Sequence, residues 1–283
     1  MSPSSRRRGV IIHADDFGMA SAVNGAIIAA WDHTAISSAS LMIPTAGFEE
    51  AAAYARDKPG LDIGIHLTLT SEWCYYRWRP LNELKHVPTL VDKSGYFWSS
   101  RESFAHSASV ADLAREMHMQ IDIALGSGLR PTHIDCHMWA VNGRTDLERC
   151  FANIAREYSL PVALPKSRWT ENLGVPRNEL LLDGIIELTA PLPDNEWLPY
   201  YARRLRGLSP GVYQLVVHPG FNNADLQSIA HGCAGWGATW RQRDFNMLMS
   251  REFRRAIAEA NVQIVNWNDL RTWNRTTGRT GSS

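Results

Sequence analysis

An apolar run, Val10-Ile11-Ile12-His13-Ala14, leads directly into Asp15-Asp16 and then into Phe17-Gly18. A short run of this kind is typical of a strand buried in a parallel sheet. Parallel α/β enzymes carry their chemistry at the carboxyl ends of such strands. Because adjacent carboxylates repel one another, both ionise readily only beside a cation or hydrogen-bond donors. The alternative is that these acids cap the helix predicted from Ala20.

Two further strand-like segments carry histidines near their ends. Residues 61–69 alternate like a strand and place His66 near the end, and residues 131–137 read Pro-Thr-His-Ile-Asp-Cys-His. Since side chains alternate along a strand, His133, Asp135 and His137 are predicted to share one face. One carboxylate and two imidazoles at strand ends favour an open metal site, because zinc hydrolases use three such ligands and leave a position for water. Taken alone, His66 is more often a hydrogen-bonded core histidine.

The rest of the chain alternates predicted strands with predicted helices. Strand-like runs lie at 9–14, 38–43, 61–67, 132–136, 162–164, 212–218 and 262–265. Helix-like stretches lie at 20–32, 48–56, 110–125, 145–158, 197–205 and 242–260. This alternation predicts parallel βαβ units in a barrel or an open sheet. Two long connections, 71–109 and 169–194, are interpreted as loops over the mouth of the site.

Length and composition limit the class of protein. With no linker among the 283 residues, we expect a disordered basic arm at 1–8, a single domain at 9–273 and a polar tail at 274–283. The 29 basic and 29 acidic side chains balance, so no global charge favours nucleic acid or anionic membranes. No apolar run is long enough to span a membrane. Four cysteines without a secretory signal predict reduced thiols and a cytoplasmic location.

Four segments, in order along the chain, resemble the signatures of the YdjC-like (ChbG/HpnK) carbohydrate deacetylase family. They are His-Ala-Asp-Asp-Phe-Gly-Met at 13–19, Gly-Ile-His-Leu-Thr-Leu-Thr at 64–70, Pro-Thr-His-Ile-Asp-Cys-His at 131–137 and Val-His-Pro-Gly at 217–220. The likeness extends from about residue 9 to about residue 270. It implies an α/β fold, an irregular (β/α) barrel of about seven mostly parallel strands, like that of polysaccharide deacetylases. It also implies metal-dependent hydrolysis of the N-acetyl group of an amino sugar, oligosaccharide or glycoconjugate.

The resemblance assigns roles to particular side chains. It implies that Asp16, His66 and His137 hold one divalent ion, Zn²⁺ or Mg²⁺ first, with Mn²⁺, Co²⁺ or Ni²⁺ also suited to these ligands. Asp15 would be the general base, and His218 the general acid that protonates the departing amine. Structural alternatives stay open, since Asp15 could cap a helix and His218 could be a strand-end residue before a turn.

The segment at 131–137 leaves a choice of ligand. His133 could replace His137 as the ligand, or could donate to a carboxylate beside the metal. His137 is preferred because the family ligand is the histidine of the Asp-x-His element. Asp135 would then orient a ligand imidazole.

The chain departs from the family directly after His137. Many relatives continue with further histidines, whereas this chain has Met-Trp-Ala-Val-Asn at 138–142. Trp139 makes the predicted pocket wall more apolar and suggests a different or larger acceptor group. Trp73 and Trp78, in an aromatic segment after His66, would offer flat faces to sugar C–H groups. The alternative for these tryptophans is loop packing or a contact in a homo-oligomer.

Two other functions are consistent with the sequence. One is a hydrolase with the same metal chemistry on a cyclic amide or a non-sugar N-acyl compound. The other is a catalytically silent sugar-binding relative, although a binding module has no need of an acid and a base beside a metal. No phosphate loop, dinucleotide fingerprint or nucleophile elbow is present. The resemblance implies a small-molecule or oligosaccharide substrate as the partner.

Overall fold

The barrel is built around a sheet of parallel strands. A computed structural model of the chain describes residues 7–165, 182–233, 235–270 and 273. Among these residues the strands are β1 Arg8–Phe17, β2 Ser38–Leu41, β3 Ile63–Leu67, β4 Ile134–Cys136, β5 Gly184–Ile186, β6 Gly211–Val217 and β7 Gln263–Ile264. They follow the order β4-β3-β2-β1-β6-β5, with β7 also paired to β1, and every pair is parallel. The parallel α/β fold predicted from the sequence is confirmed.

The barrel is irregular because its two edge strands do not form a full ladder with each other. Isolated bridges join Ile134 to Val162 and Pro165 to Leu182, and these connect the β4 edge with the residues before β5. The segment predicted as a strand at 162–164 lies among these bridges but forms no continuous strand. The seventh strand is β5, which lies inside a region predicted as a loop.

Helices cover the sheet between the strands. They are α1 Ser21–Asp32, α2 Phe48–Asp57, α3 Arg101–Ser107, α4 Val110–Gly126, α5 Thr145–Glu157, α6 Asp194–Arg206, α7 Ala224–Ile229, α8 Ala238–Met249 and α9 Arg251–Ala260. The single helix predicted at 242–260 is wrong: Ser250 is extended, and its hydroxyl accepts from the Phe253 N–H to start α9. Within the described ranges no helix has the length and apolarity needed to cross a membrane.

Several sequence predictions lie outside the described residues. These are residues 1–6 of the basic arm, residues 169–181 of the second long connection and the polar tail at 274–283. The first long connection, 71–109, is mostly irregular and contains two short 3₁₀ turns and α3. A single domain over 9–273 stays a prediction.

The barrel interior changes from apolar to polar toward the carboxyl ends of the strands. An apolar cluster that includes Ile11 and Trp267 is followed by His133, whose ring stacks on the Trp267 indole with centroids 4.8 Å apart. A Cβ at position 64 would lie 2.4 Å from the His133 ring, so glycine is required there. His13 contacts His133 edge-on at 5.1 Å and leads to the polar end of the barrel.

Candidate active site

Asp15 and Asp16 both reach the same cavity because β1 contains a bulge. In a regular strand, neighbouring side chains point to opposite faces. The register between β1 and β2 shifts between Ala14 and Phe17, and Asp16 has φ 67°, in the left-handed region. Bulges beside active sites re-aim side chains in this way. The helix-capping alternative fails, because Ala20 is the N-cap residue of α1 and the first turn contains no acid.

Three buried ligand-type atoms converge next to the bulge. Asp16 Oδ1 lies 3.4 Å from His66 Nε2 and 3.2 Å from His137 Nδ1, and the two nitrogens are 3.3 Å apart. A tetrahedral ion with ligands at about 2.0 Å would separate neighbouring ligand atoms by about 3.3 Å. Asp16 Oδ1 is buried and has no hydrogen-bond partner among the described residues. The three atoms therefore fit one divalent cation, and they form one of the groups able to hold it.

Each histidine of this group is oriented by a carboxylate. His66 Nδ1 donates to Asp135 Oδ1 at 2.8 Å, and His137 Nε2 donates to Glu72 Oε2 at 3.0 Å. A neutral imidazole has one N–H, so these bonds turn the bare nitrogen of each ring toward Asp16 Oδ1. Carboxylate–histidine pairs of this kind are usual beside metal ions.

The electrostatic environment of the group favours positive charge. Burial lowers the pKa of His66, but Asp135 and Asp15 outweigh it and raise this pKa well above its ordinary value. Burial likewise opposes protonation of His137, yet Glu72 and Asp16 raise its pKa to about 9. The negative potential that favours protonation of the two imidazoles also favours a bound metal cation. The cation would compete with those protons for the ring nitrogens.

Arg241 orients Asp16 from the opposite side. This arginine comes from α8, is 1% exposed, and its Nη2 donates to Asp16 Oδ2 at 2.6 Å. Burial would raise the pKa of Asp16, but the guanidinium and the two imidazoles hold it well below its usual range. Arg241 Nε also donates to the Trp236 carbonyl at 2.7 Å. The carboxylate is thus fixed with its second oxygen toward the two histidines.

Asp15, on β1, and His218, directly after the neighbouring strand β6, lie beside this group. Asp15 Oδ1 is 3.1 Å from His13 Nε2, and Asp15 Oδ2 is 3.7 Å from His218 Nε2. His218 follows β6 directly, and its backbone N–H donates to Asp244 Oδ2 at 2.9 Å. Burial lowers the pKa of His218 to about 4, so its imidazole is neutral at pH 7.

A cavity of about 520 Å³ opens over these groups, a volume suited to a small ligand. Its wall includes Asp15, Asp16, His137, His218, Trp73 and Trp139. Trp78 does not line it: the indole donates to the Thr70 carbonyl and its ring packs edge-on against His137 at 5.8 Å.

The segment at 131–137 departs from its predicted geometry. β4 ends at Cys136, and His137 lies in the following 3₁₀ turn, so the prediction that it shares a strand face with His133 is wrong. Met138 and Trp139 both have φ 54°, and this turn redirects His137 toward Asp16. His133 lies deeper, with Nδ1 2.9 Å from Thr132 Oγ1, and it is not a member of the convergent group.

Sequence reasoning did not find three of the site's side chains. Glu72 is the first acid after the His66 strand, which is the only signal it carries. Arg241 is a buried arginine within an otherwise ordinary helix, and Glu187 follows a strand of only three residues. None belongs to a recognisable motif, because each is contributed by a distant segment that the fold brings to the cavity.

Comparisons with known proteins agree with this architecture. A family model described as YdjC-like protein matches residues 9–259. A carbohydrate deacetylase of Thermus thermophilus is 34% identical, with 94% of each chain covered. A carbohydrate deacetylase of Geobacillus stearothermophilus is 36% identical, with 93% of this chain and 98% of the relative covered.

A solved structure extends the comparison to three dimensions. It comes from Enterococcus faecalis, is provisionally described as a cellobiose-phosphate cleavage protein, and superimposes with a TM-score of 0.79. Its sequence is 28% identical, and the match covers 93% of this chain and 99% of that chain. Since the family model spans most of the sequence, the resemblance seen in the four motifs is confirmed. The chain belongs to the YdjC-like family.

Proposed function

We propose that this protein is a metal-dependent deacetylase that hydrolyses the N-acetyl group of an amino sugar or an N-acetylated oligosaccharide. The observation that carries the proposal is the convergence of Asp16, His66 and His137 within 3.4 Å, beside Asp15 and His218. The cavity above them accommodates a ligand of sugar size. Relatives described as carbohydrate deacetylases support the substrate class.

Asp16, His66 and His137 would hold one divalent cation. One carboxylate and two imidazoles suit zinc, and they also suit magnesium or manganese when waters complete the coordination. The bound cation would supply a water of lowered pKa and would polarise the acetamide carbonyl.

Asp15 and His218 would move the protons. Asp15 takes a proton from the attacking water as the new C–O bond forms at the acetyl carbon. The C–N bond then breaks, and the amine nitrogen takes a proton from His218. Because His218 is neutral at pH 7, we propose that the proton collected by Asp15 passes to it across the 3.7 Å between Oδ2 and Nε2. The products are acetate and the free amino sugar.

Loss of His218 should harm a poor leaving group more than a good one. His218→Ala is expected to slow hydrolysis of an N-acetyl amide by roughly a hundredfold or more, because an amine leaves badly without a proton. An activated aryl acetate should lose much less, since a phenolate leaves unprotonated. Rates on both substrates in one metal-loaded preparation check this. Equal losses would reject the general-acid role.

Loss of the Glu72 carboxylate should weaken metal binding. Glu72→Gln replaces the charged acceptor that fixes the His137 tautomer and orientation with a weaker, neutral amide oxygen, so metal affinity should fall by about 10- to 100-fold. Competition with a chromogenic chelator measures the affinity. Glu83→Gln, an exposed acid in the same long connection, is the matched control and should leave it unchanged. An unaltered metal affinity in Glu72→Gln would show that the Glu72–His137 hydrogen bond does not contribute to metal binding.

The proposed substrate class is tested by acetate release. Metal-loaded protein should release acetate from N-acetylated amino sugars faster than from N-acetyl amino acids, and should not open a cyclic amide. Hydrolysis of a cyclic amide or a non-sugar N-acyl compound, with no acetate from any sugar, would contradict the proposal.

A further inference from the structure

Glu187 is a carboxyl group of the cavity that the proposed reaction does not use. It directly follows β5, so it lies at the same edge of the barrel as the groups that end β1, β3 and β6. Its Oε2 accepts from Trp139 Nε1 at 3.1 Å. Among the described residues, Oε1 has no hydrogen-bond donor. Glu187 is also outside the groups whose ligand atoms converge on a cation site.

The other member of this contact, Trp139, is held in an unusual backbone conformation. Both Trp139 and Met138 have φ 54°, which is rare for residues with large side chains. Such conformations persist only where the surroundings enforce them, and they concentrate at functional sites. The turn after His137 therefore aims the indole N–H at Glu187. From the other side, the Tyr200 hydroxyl donates to the Glu187 carbonyl at 2.7 Å and ties the end of β5 to α6.

Trp139 and Glu187 separate two spaces. A second cavity of about 270 Å³ shares Arg101, Trp139, Glu187 and Thr189 with the first. A ligand that occupies the first cavity and extends toward the second must pass this pair. Burial, and then the nearby Asp15, raise the pKa of Glu187 to about 7, so the carboxyl group can accept or donate near neutral pH. A sugar hydroxyl, which does both, is its natural partner.

We propose that Trp139 and Glu187 form a specificity-determining pair, in which the indole N–H holds one carboxyl oxygen and the other oxygen binds a hydroxyl group of the sugar that carries the acetamide. This assignment rests on the proposed function, because it gives that substrate a further contact. A site built to hydrogen-bond a hydroxyl discriminates strongly against analogues that lack it. The pair would therefore separate sugar acetamides from simple acetamides that fit the cavity equally well.

The test combines protein variants with deoxy substrates. Methyl N-acetyl-β-glucosaminide and its 3-, 4- and 6-deoxy analogues are compared in metal-loaded wild type, Glu187→Gln and Trp139→Phe. Wild type should discriminate against at least one deoxy analogue. Glu187→Gln should raise KM for the parent sugar roughly tenfold, with kcat within about threefold. Its amide oxygen can still accept from the Trp139 indole, but the NH2 group then faces the sugar, and that group cannot accept from a hydroxyl. The variant should leave KM for that deoxy analogue unchanged, and Trp139→Phe should shift KM in the same direction.

Controls and contrary outcomes are defined by the same data. Glu196→Gln, an exposed acid on α6, should match wild type on every substrate. Three results in Glu187→Gln would each overturn the proposed role of Trp139 and Glu187 in specificity. They are unchanged discrimination between the sugars, a fall in kcat without a change in KM, and loss of bound metal.

Failure of the proposed function is visible separately. If the protein is not a sugar deacetylase, wild type releases no acetate. Calorimetric measurement of methyl β-glucosaminide binding then tests whether Glu187 contacts a sugar hydroxyl. Binding that weakens tenfold in Glu187→Gln would still support the contact, whereas equal binding or none in wild type would overturn it.

Discussion

Asp15→Asn should keep the metal content of wild type and lose amide hydrolysis by roughly a hundredfold or more. The substitution preserves shape but removes the group that would accept a proton. Asp15 lies farther from the ligand nitrogen of His66 than Asp16 does, since Asp15 Oδ2 is 3.9 Å from His66 Nε2 and Asp16 Oδ1 is 3.4 Å from it. Substitutions of the two adjacent carboxylates should therefore have different effects: Asp15 is needed for turnover, and Asp16 is needed for metal binding.

The measurement is kcat on an N-acetylated sugar together with elemental analysis of the same sample. Asp57→Asn, an exposed acid at the end of α2, is the control and should behave as wild type. Full activity in Asp15→Asn would remove Asp15 as the base. Loss of metal would mean that Asp15 is a ligand.

Removal of a ligand histidine should abolish metal binding. His66→Ala and His137→Ala each delete one corner of the convergent triangle, so elemental analysis should find almost no bound ion. Asp16→Ala should also lose the ion, and it should destabilise the fold by about 3–5 kcal/mol because it leaves the Arg241 guanidinium buried and unpaired. The histidine variants therefore carry the test.

His133→Ala is the matched control for this prediction. His133 is fully buried on the same segment as His137, but it packs on Trp267 beneath the site. It should retain the ion while losing some stability through the cavity it leaves. Retention of metal by His137→Ala with loss by His133→Ala would show that the ligand choice is wrong.

Much of the fold was accessible from the sequence because hydrophobic periodicity marks long elements clearly. β1, β6, α1 and α4 lie close to their predicted bounds. The failures have local causes. β5 has three residues, too few for a visible alternation, and α3 and α7 are short helices that depend on caps from Ser100 and Asn223.

The sequence predicted which motif residues form the site, but not the backbone features and distant contacts that orient them. Strand-end positions indicated that the aspartates, His66 and a histidine of residues 131–137 lie at one edge of the sheet, and the family resemblance selected His137 and added His218. The sequence could not reveal the β1 bulge that aims Asp16, nor the left-handed turn at Met138 that aims His137. Nor could it assign Glu72 and Arg241 their hydrogen bonds, since those contacts join segments far apart in the chain.

A divalent cation held by Asp16, His66 and His137 should be required for release of acetate from an N-acetylated sugar. The most direct test of this requirement is the rate of acetate release by wild-type protein after exhaustive chelation and during titration with Zn²⁺ or Mg²⁺. Activity should disappear with the metal and return in proportion to the added ion, up to one ion per chain. Undiminished acetate release from protein shown by elemental analysis to contain no divalent metal would contradict this requirement.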